Sequence, residues 1–447
     1  MNNHHFLLVS LAAQGHINPT LHLAKLLIQA GARVTFATTV HGLHRLTKTL
    51  PTLDGLSFAS FSDGDDDGTK HAGYTDNVMV ELKRVGSQTL TNLLVTLSDE
   101  RRPVTFLIYN LLLPWAADVA RDMHVPSAFL CSQSATTFAI YHRFFNRHDG
   151  FYDGSIANID PSISVKLPGL PLLTCNDLPS FLLPTSPHAS VIHTFEEHIE
   201  TLEKDPNPCV LVNTFDALEE DSIRAIDNMK VIAIGPLIPS DTSFGCDLFD
   251  RSKDYIQWLD SKPECSVVYV SFGSLAVLQT RQMEELSKGL IESGRPFLWV
   301  VRSPDYERED VKGMIENLLS EEGLIVPWCS QVEVLSHRST GCFVTHCGWN
   351  STVESLVAGM PVVGCPQFSD QMTNVKMVEE VWGNGVRALG NEEGVVEREE
   401  IRRCLDVVMG GGEIRRNAMK WKCLAMEAVK DGGSLHNNLK QFLGSLG

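Results

Sequence analysis

The stretch WCSQVEVLSHRSTGCFVTHCGWNSTVESLVAGMPVVGCPQFSDQ, Trp328 to Gln371, decides how this 447-residue chain is read. Its centre, Cys342 to Leu356, is an apolar run, a turn with one glycine, and a run of helical spacing. The expected form is a buried strand turning through Gly348 into a helix that starts near Ser351. Such a turn sets main-chain N–H groups and the positive end of a helix dipole at a sheet's carboxyl edge, a ready anion site. His346 and Ser351 flank the turn and can add donors to a pyrophosphate.

The same grammar extends outward. Upstream, Ser266–Phe272 reads as a strand, Gln279–Gly294 as a helix, and Phe297–Val301 and Gly323–Val326 as strands. Ser274, in the turn after the first of these, is another candidate phosphate donor. Downstream come a strand at Pro361–Cys365 and a helix from about Gln371. The first half repeats the pattern: strand His5–Leu11, a loop QGHINP, helix Thr20–Ala30 and strand Arg33–Thr39. Val104–Tyr109, helix Pro114–Met123 and Ser127–Cys131 continue it, with further strands at Val210–Asn213 and Val231–Ile234. Alternating strands and helices predict parallel sheets covered on both faces.

The period breaks at GPLIPSDTSFGCDLFDRSKDY, from Gly235 to Tyr255. The expected organisation is therefore α/β, with two doubly wound Rossmann-like domains facing each other across a cleft where ligands collect. The first domain spans 1–238, a linker 239–254, and the second domain 255–447, with the terminal helix a candidate to pack back on the first domain. Segments Val78–Val85, Phe138–Phe145 and Leu182–Phe195 are rich in aromatics or leucine and are candidates for an acceptor pocket.

Composition narrows the function. A formal net charge of −18 argues against a broad nucleic-acid surface, though not against a small anionic ligand held by main-chain groups. The 11 cysteines form no C-x-x-C pair, and several sit in apolar runs, as free thiols in a reducing compartment do. The N-terminus lacks the basic stretch of a signal peptide, and its apolar run is too short to span a bilayer. A cytosolic protein is expected, in which the acceptor triplet Asn350-Ser351-Thr352 stays unglycosylated. Nothing demands more than a monomer. The acidic run Asp63–Asp67 reads as a solvated loop. A dehydrogenase would need G-x-G-x-x-G after a first strand, and neither AAQGHINP nor FGSLAV supplies it.

The segment Trp328–Gln371 closely resembles the 44-residue signature of plant UDP-dependent glycosyltransferases of secondary metabolism, without insertion or deletion. The QGHINP, LVNTF and VSFGS segments and the overall length resemble that family too. The resemblance implies a GT-B type fold and UDP-glucose as co-substrate, with no cofactor and no metal. It implies that Trp328 stacks on uracil, the Cys329 main chain reads the base edge, and Gln331 and Glu354 take the ribose hydroxyls. His346, Asn350, Ser351 and Ser274 would hold the pyrophosphate, and Trp349, Asp370 and Gln371 the sugar. Structural readings compete. Ser351 and Glu354 have the spacing of a capping box, Asp370 of an N-cap, and Trp349 can be core packing. In the family, a glutamine at position 371 usually accompanies glucose.

A hydroxyl acceptor needs a base, and histidine suits that task at neutral pH. His16, in the loop after the first strand, matches the family's catalytic position, whereas His4, His5, His22, His41 and His44 read as surface residues. The family commonly pairs this histidine with an aspartate, and here the position is Asn110. Asparagine can accept a hydrogen bond from imidazole but offers no charge to stabilise imidazolium, so acceptors that ionise easily are favoured. LVNTFDALE and LLLPWAADVAR resemble most closely the branch with anthocyanin 5-O-glucosyltransferases and glucose-ester-forming enzymes. The expected reaction is inverting glucosyl transfer to a phenol or carboxylic acid. The alternatives are a non-catalytic UDP-sugar-binding protein and another nucleotide-sugar enzyme such as an epimerase.

Overall fold

The structure is a computed structural model. It describes residues 4–446 except 48, 70–75, 147–163, 167–168, 184–190, 239–245, 247, 250–251, 253, 303–304, 306–307, 309–311 and 314–322. Most of the expected linker and part of the Leu182–Phe195 segment lie outside the described residues. Two compact units form, Met1–Leu248 with Ala428–Gly447, and Phe249–Glu427.

The first unit runs β1 (His5–Val9), α1 (Gln14–Gln29), β2 (Arg33–Thr39), α2 (Val40–Leu46), β3 (Leu56–Phe61) and α3 (Asp76–Asp99). It continues β4 (Phe106–Asn110), α4 (Trp115–Asp122), β5 (Ser127–Cys131) and α5 (Ala135–Phe145). A short antiparallel pair, β6 (Ser164–Lys166) and β7 (Leu172–Thr174), precedes α6 (Ile192–Glu203), β8 (Cys209–Val212), α7 (Asp216–Arg224) and β9 (Lys230–Ala233). Among the described residues the parallel sheet has the order β3-β2-β1-β4-β5-β8-β9. Its central strands are buried on both faces, which is why they read as continuous apolar runs.

The second unit contains α8 (Tyr255–Asp260), β10 (Val267–Ser271), α9 (Thr280–Glu292), β11 (Phe297–Val300), β12 (Gly323–Val326) and α10 (Gln331–Ser336). Then come β13 (Thr340–Thr345), α11 (Trp349–Ala358), β14 (Val362–Gly364), α12 (Gln371–Lys376), β15 (Gly385–Arg387) and α13 (Arg398–Gly410). Its sheet has the order β12-β11-β10-β13-β14-β15, again parallel. Helices α14 (Gly412–Val429) and α15 (Ser434–Gly444) close the chain. Helix α15 places Leu439, Phe442 and Leu443 in the core of the first unit, where the Phe442 ring meets Phe106 edge-on at 5.4 Å. In the second unit, Val268 and Val270 pack against Leu286, Leu290, Ile401 and Leu405 on one face of the sheet. Tyr269, Leu298 and Phe343 pack with Leu335 on the other.

Both sheets reverse direction of winding beside their first strand, between β1 and β4 and between β10 and β13. The carboxyl ends of strands at such a switch point are where an open α/β sheet binds ligands. His16 follows β1 and Asn110 ends β4, whereas Ser274 follows β10 and His346 follows β13. These four residues thus fall at the two switch points, while Trp328 and Gln331 follow β12 and Asp370 and Gln371 follow β14.

Helix α1 corrects the sequence reading. It begins at Gln14 rather than Thr20, so His16 sits in a first helical turn and not in a loop. Gly15 and Pro19 disguised the turn, because proline removes a ladder donor inside a helix. Distant partners stabilise it. The Gln14 side chain donates to Cys246 O (2.7 Å) and accepts from Leu248 N (2.9 Å), and Asn18 Oδ1 accepts from Cys246 N (3.0 Å). His5 and His22 are buried rather than superficial, and Asp65 is buried within the acidic run, with Oδ1 accepting from Thr69 N at 2.9 Å.

Candidate active site

In the second unit, β13 ends at Thr345 and the chain turns through His346, Cys347 and Gly348 into α11. Cys347 adopts φ 60°, a left-handed conformation costly for a side chain, and its N–H is held by Thr345 Oγ1 at 3.2 Å. The N-cap is Gly348, and the first ladder bond runs from Thr352 N to Gly348 O at 3.0 Å. The N–H groups of the first turn therefore lie outside the helical ladder, at the positive end of the dipole. Ser351 is the third helical residue, so the capping-box reading of Ser351 and Glu354 fails; the turn completes itself one step earlier, at Gly348.

The His346 ring is wedged between two glycines. A Cβ on Gly273 would lie 2.8 Å from its Cε1 and Nε2, and one on Gly348 would lie 2.5 Å from Nε2. Its Nδ1 lies 3.4 Å from Thr345 Oγ1. Burial lowers the His346 pKa to about 4, against a main-chain hydrogen bond at Ser271 that raises it. The ring is neutral at pH 7 and can donate one N–H to an anion without carrying charge. Ser274 stands in the loop beyond Gly273, partly exposed.

Gln331, Ser351 and Glu354 come together. Gln331 Nε2 donates to Glu354 Oε2 (2.7 Å) and to Ser351 Oγ (2.9 Å), and Tyr269 OH donates to Gln331 Oε1 at 3.4 Å. Trp328 is half-buried beside the Phe249 ring, at 4.4 Å between centroids. Cys329 is buried, its Sγ 3.6 Å from Tyr269 OH. Tyr255 belongs to no motif in the sequence, yet its hydroxyl accepts from Ser330 N (3.2 Å) and donates to Glu333 (2.6 Å), fixing the turn that carries Trp328 and Gln331.

Asp370 precedes α12 as its N-cap, but its side chain makes no cap bond; Oδ2 accepts from Asn374 Nδ2 at 2.7 Å. Asn374 also donates to Cys347 O (2.9 Å), tying the turn at His346 to the loop at Asp370. Asn374 was missed because its spacing from Asp370 reads as an ordinary helix face. Gln371 Oε1 accepts from Gln367 N (2.8 Å) and Phe368 N (3.1 Å), so only its Nε2 can act on a ligand, as a donor. The Trp349 side chain is buried 6.1 Å from the Trp382 ring, which is core packing, while Asn350 is partly exposed beside it.

In the first unit, Asn110 is fully buried at the end of β4. Its Nδ2 donates to His16 O (3.3 Å) and Thr20 Oγ1 (2.9 Å), and its Oδ1 accepts from Leu111 N (2.7 Å). It does not accept from the imidazole. Among the described residues His16 Nδ1 has no partner, and burial lowers the His16 pKa to about 4. Leu112, at φ 68°, donates its N–H to Nε2 of the buried His198 at 3.2 Å. Of the acceptor-pocket candidates, Phe138 and Phe144 are core residues of α5, and Tyr141 stacks on Phe195 at 4.5 Å. All 11 cysteines are free thiols. No helix among the described residues is long and apolar enough to cross a membrane.

A family model described as "UDP-glucoronosyl and UDP-glucosyl transferase" matches residues 243–427. The chain is similar to phloretin 4'-O-glucosyltransferase of Malus domestica, 51% identical over 473 residues, covering 99% of this chain and 98% of the relative. It is 48% identical over 459 residues to anthocyanidin 3-O-glucoside 5-O-glucosyltransferase 1 of Perilla frutescens, covering 98% and 97%. Among solved structures it is similar to Os79 from O. sativa in complex with UDP, with TM-score 0.88 and 35% identity over 99% of this chain and 100% of that one.

Proposed function

The chain belongs to the UDP-glycosyltransferase family and has its GT-B fold, and from that premise we propose that it is a cytosolic enzyme transferring glucose, with inversion, from UDP-glucose to a phenol or carboxylic acid of a small lipophilic acceptor. The observation that carries the donor half is the folding of Trp328–Gln371 around one switch point. There the start of α11, His346, Ser351 and Ser274 are suited to the diphosphate. The adjoining Gln331–Glu354 pair suits two neighbouring ribose hydroxyls, with Trp328 as the base platform and Cys329 beside it. Asp370 as acceptor and Gln371 as donor suit adjacent equatorial hydroxyls, as glucose has. Asn350 completes the phosphate set, and Trp349 contributes through its main chain, its ring being packed.

His16 takes the proton of the acceptor as its oxygen attacks the anomeric carbon. The bond from that carbon to the phosphate oxygen breaks, and UDP leaves with the electron pair. Donors already oriented at the diphosphate stabilise the charge that develops there. The imidazole is a weak base, because burial lowers its pKa and, among the described residues, no carboxylate supports its Nδ1. Acceptor acidity must make up the difference: phenols ionise near pH 10, and carboxylic acids are ionised at pH 7. The names of the phloretin and anthocyanidin relatives support a phenolic acceptor.

A screen of UDP release over several donors and a panel of phenols, acids and alcohols, with the products weighed by mass spectrometry, tests the proposal. Glucose conjugates of phenols or acids are expected, and His16→Ala abolishes transfer to phenols while UDP-glucose still binds. Binding of UDP-glucose with no transfer to any acceptor would favour a regulator instead.

A further inference from the structure

We propose that Arg302 is a positioning residue of the donor site, holding the Ser274 loop in the form that offers Ser274 to the diphosphate. The inference rests on the reading of Ser274 as a diphosphate ligand. The loop between β10 and α9 turns at Gly273–Leu275 and then runs through Ala276–Gln279 without joining a sheet. Leu275 and Val277 are 57% and 63% exposed, while Ala276 and Leu278 are buried. Outside a sheet, the carbonyls of Ser274, Ala276 and Leu278 need donors from elsewhere.

Two arginines supply them. Arg302, just past β11, donates from Nη1 to Ser274 O and from Nη2 to Ala276 O at 2.7 Å. Arg308 donates to Leu278 O at 3.2 Å and to Thr280 Oγ1 at 2.6 Å. The Arg302 fork is itself aimed by Asp305, whose Oδ2 accepts from Nε (3.1 Å) and Nη2 (2.8 Å). This ion pair is largely withdrawn from water, with side chains only 13% and 15% exposed. A desolvated pair is weak evidence of stabilisation and better evidence of a geometric role.

Ala276 and Leu278 anchor the loop in the core, but packing beneath it is incomplete. A cavity of about 30 Å³ lies there, lined by Phe272, Gly273, Ala276, Met283, Arg302 and Asp305 among others. Gly273, at φ 74°, gives the chain a pivot beside Ser274. Without the guanidinium, Ser274 sits beside a pivot and a void, and the carbonyls of Ser274 and Ala276 lose their donors. Lysine is no substitute, since one ammonium lacks the planar fork that reaches two carbonyls and a carboxylate together.

The test compares Arg302→Met, Arg302→Lys, Ser274→Ala and the double variant Arg302→Met/Ser274→Ala. The dissociation constant of UDP is read by calorimetry, the acceptor KM by turnover, and folding by thermal melting. Arg302→Met is expected to weaken UDP roughly tenfold, the scale of one charge-assisted hydrogen bond. Arg302→Lys falls between it and wild type, the acceptor KM is unchanged, and the double variant binds no worse than the weaker single variant. Wild-type UDP affinity in Arg302→Met, or losses that multiply in the double variant, overturns the proposal. If Arg302→Met does not melt cooperatively, Arg302→Lys carries the same cycle. A wild-type protein that binds no UDP overturns the donor-site reading itself, an outcome distinct from an Arg302 variant without effect.

Discussion

Asn110 donates its amide to the main-chain carbonyl of His16 at 3.3 Å, not to the ring, and among the described residues His16 Nδ1 has no partner. The same Nδ2 reaches Thr20 Oγ1 at 2.9 Å, and Thr20 Oγ1 donates to His16 O at 2.7 Å. Asn110 thus secures the turn that bears His16 but does nothing for the charge of its imidazole. In Asn110→Asp the carboxylate can accept from Nδ1 and favours imidazolium, so the His16 pKa rises from about 4. The acidic limb of kcat/KM is expected to move to higher pH, and turnover of alcohols to rise by about tenfold or more. Phenols should gain less and carboxylic acids nothing. Matched acceptors assayed across pH check this, and an equal gain for all three classes would sink the acidity argument.

His198 sets a second pH dependence, in stability. Its ring packs against both Tyr109 and Phe129, buried, and its pKa is lowered from 6.5 to about 3. The folded chain leaves this site neutral where the unfolded chain takes up a proton. Its contribution is therefore complete above pH 6.5 and is lost as pH falls toward 3. The limiting slope for one such group is about 1.4 kcal/mol per pH unit. The partly exposed His16 and His346 act in the same direction but more weakly. His198→Gln keeps an acceptor for the Leu112 N–H and does not titrate, so its melting temperature should fall less than that of wild type between pH 6.5 and pH 4.5. Parallel melting curves across that range would contradict this.

Glu219 caps α5 from another helix. Its carboxylate accepts from Ala135 N (3.0 Å), Thr136 N (2.9 Å) and Thr136 Oγ1 (2.8 Å), and α7 leaves helical geometry at this residue to deliver it. Glu219→Ala strands buried donors and is expected to cost about 3–5 kcal/mol in urea unfolding. Glu219→Gln keeps one acceptor oxygen and should cost about 1–3 kcal/mol. Two variants of equal stability would show that the carboxylate does not hold the helix.

What could be read in the sequence was what local pattern encodes. Strands such as Gly323–Val326 and the start of α12 at Gln371 stand out because glycine, proline and short apolar runs mark them. The switch-point residues followed, since a turn after a parallel strand can only lie at the carboxyl edge. Features made by distant partners were not legible. The first turn of α1 depends on Cys246 and Leu248, and the bond between Gln331 and Glu354 spans separate helices. Arg302 reads as the end of a strand until its carbonyl partners are seen. The spacing of Ser351 and Glu354 fits a capping box, but the left-handed Cys347 brings the helix start forward to Gly348.

Gly348 and Gly273 offer a way to move the His346 ring without removing it. At Gly348 the backbone has φ −58° and ψ 146°, which alanine adopts freely, so the only insult is a Cβ 2.5 Å from Nε2. Gly348→Ala should displace the ring, weaken UDP roughly tenfold and change stability little, because a misplaced charge-assisted donor costs about 1.5–3 kcal/mol. Gly273→Ala meets the same ring at 2.8 Å but also forces alanine to φ 74°, adding about 1–2 kcal/mol of strain. It should therefore lose both affinity and melting temperature. His346→Ala removes the obstacle. In that background Gly348→Ala has no ring to push and should leave UDP affinity where His346→Ala put it. If Gly348→Ala weakens UDP equally with and without the imidazole, the glycine serves the diphosphate directly and the histidine is not what it positions.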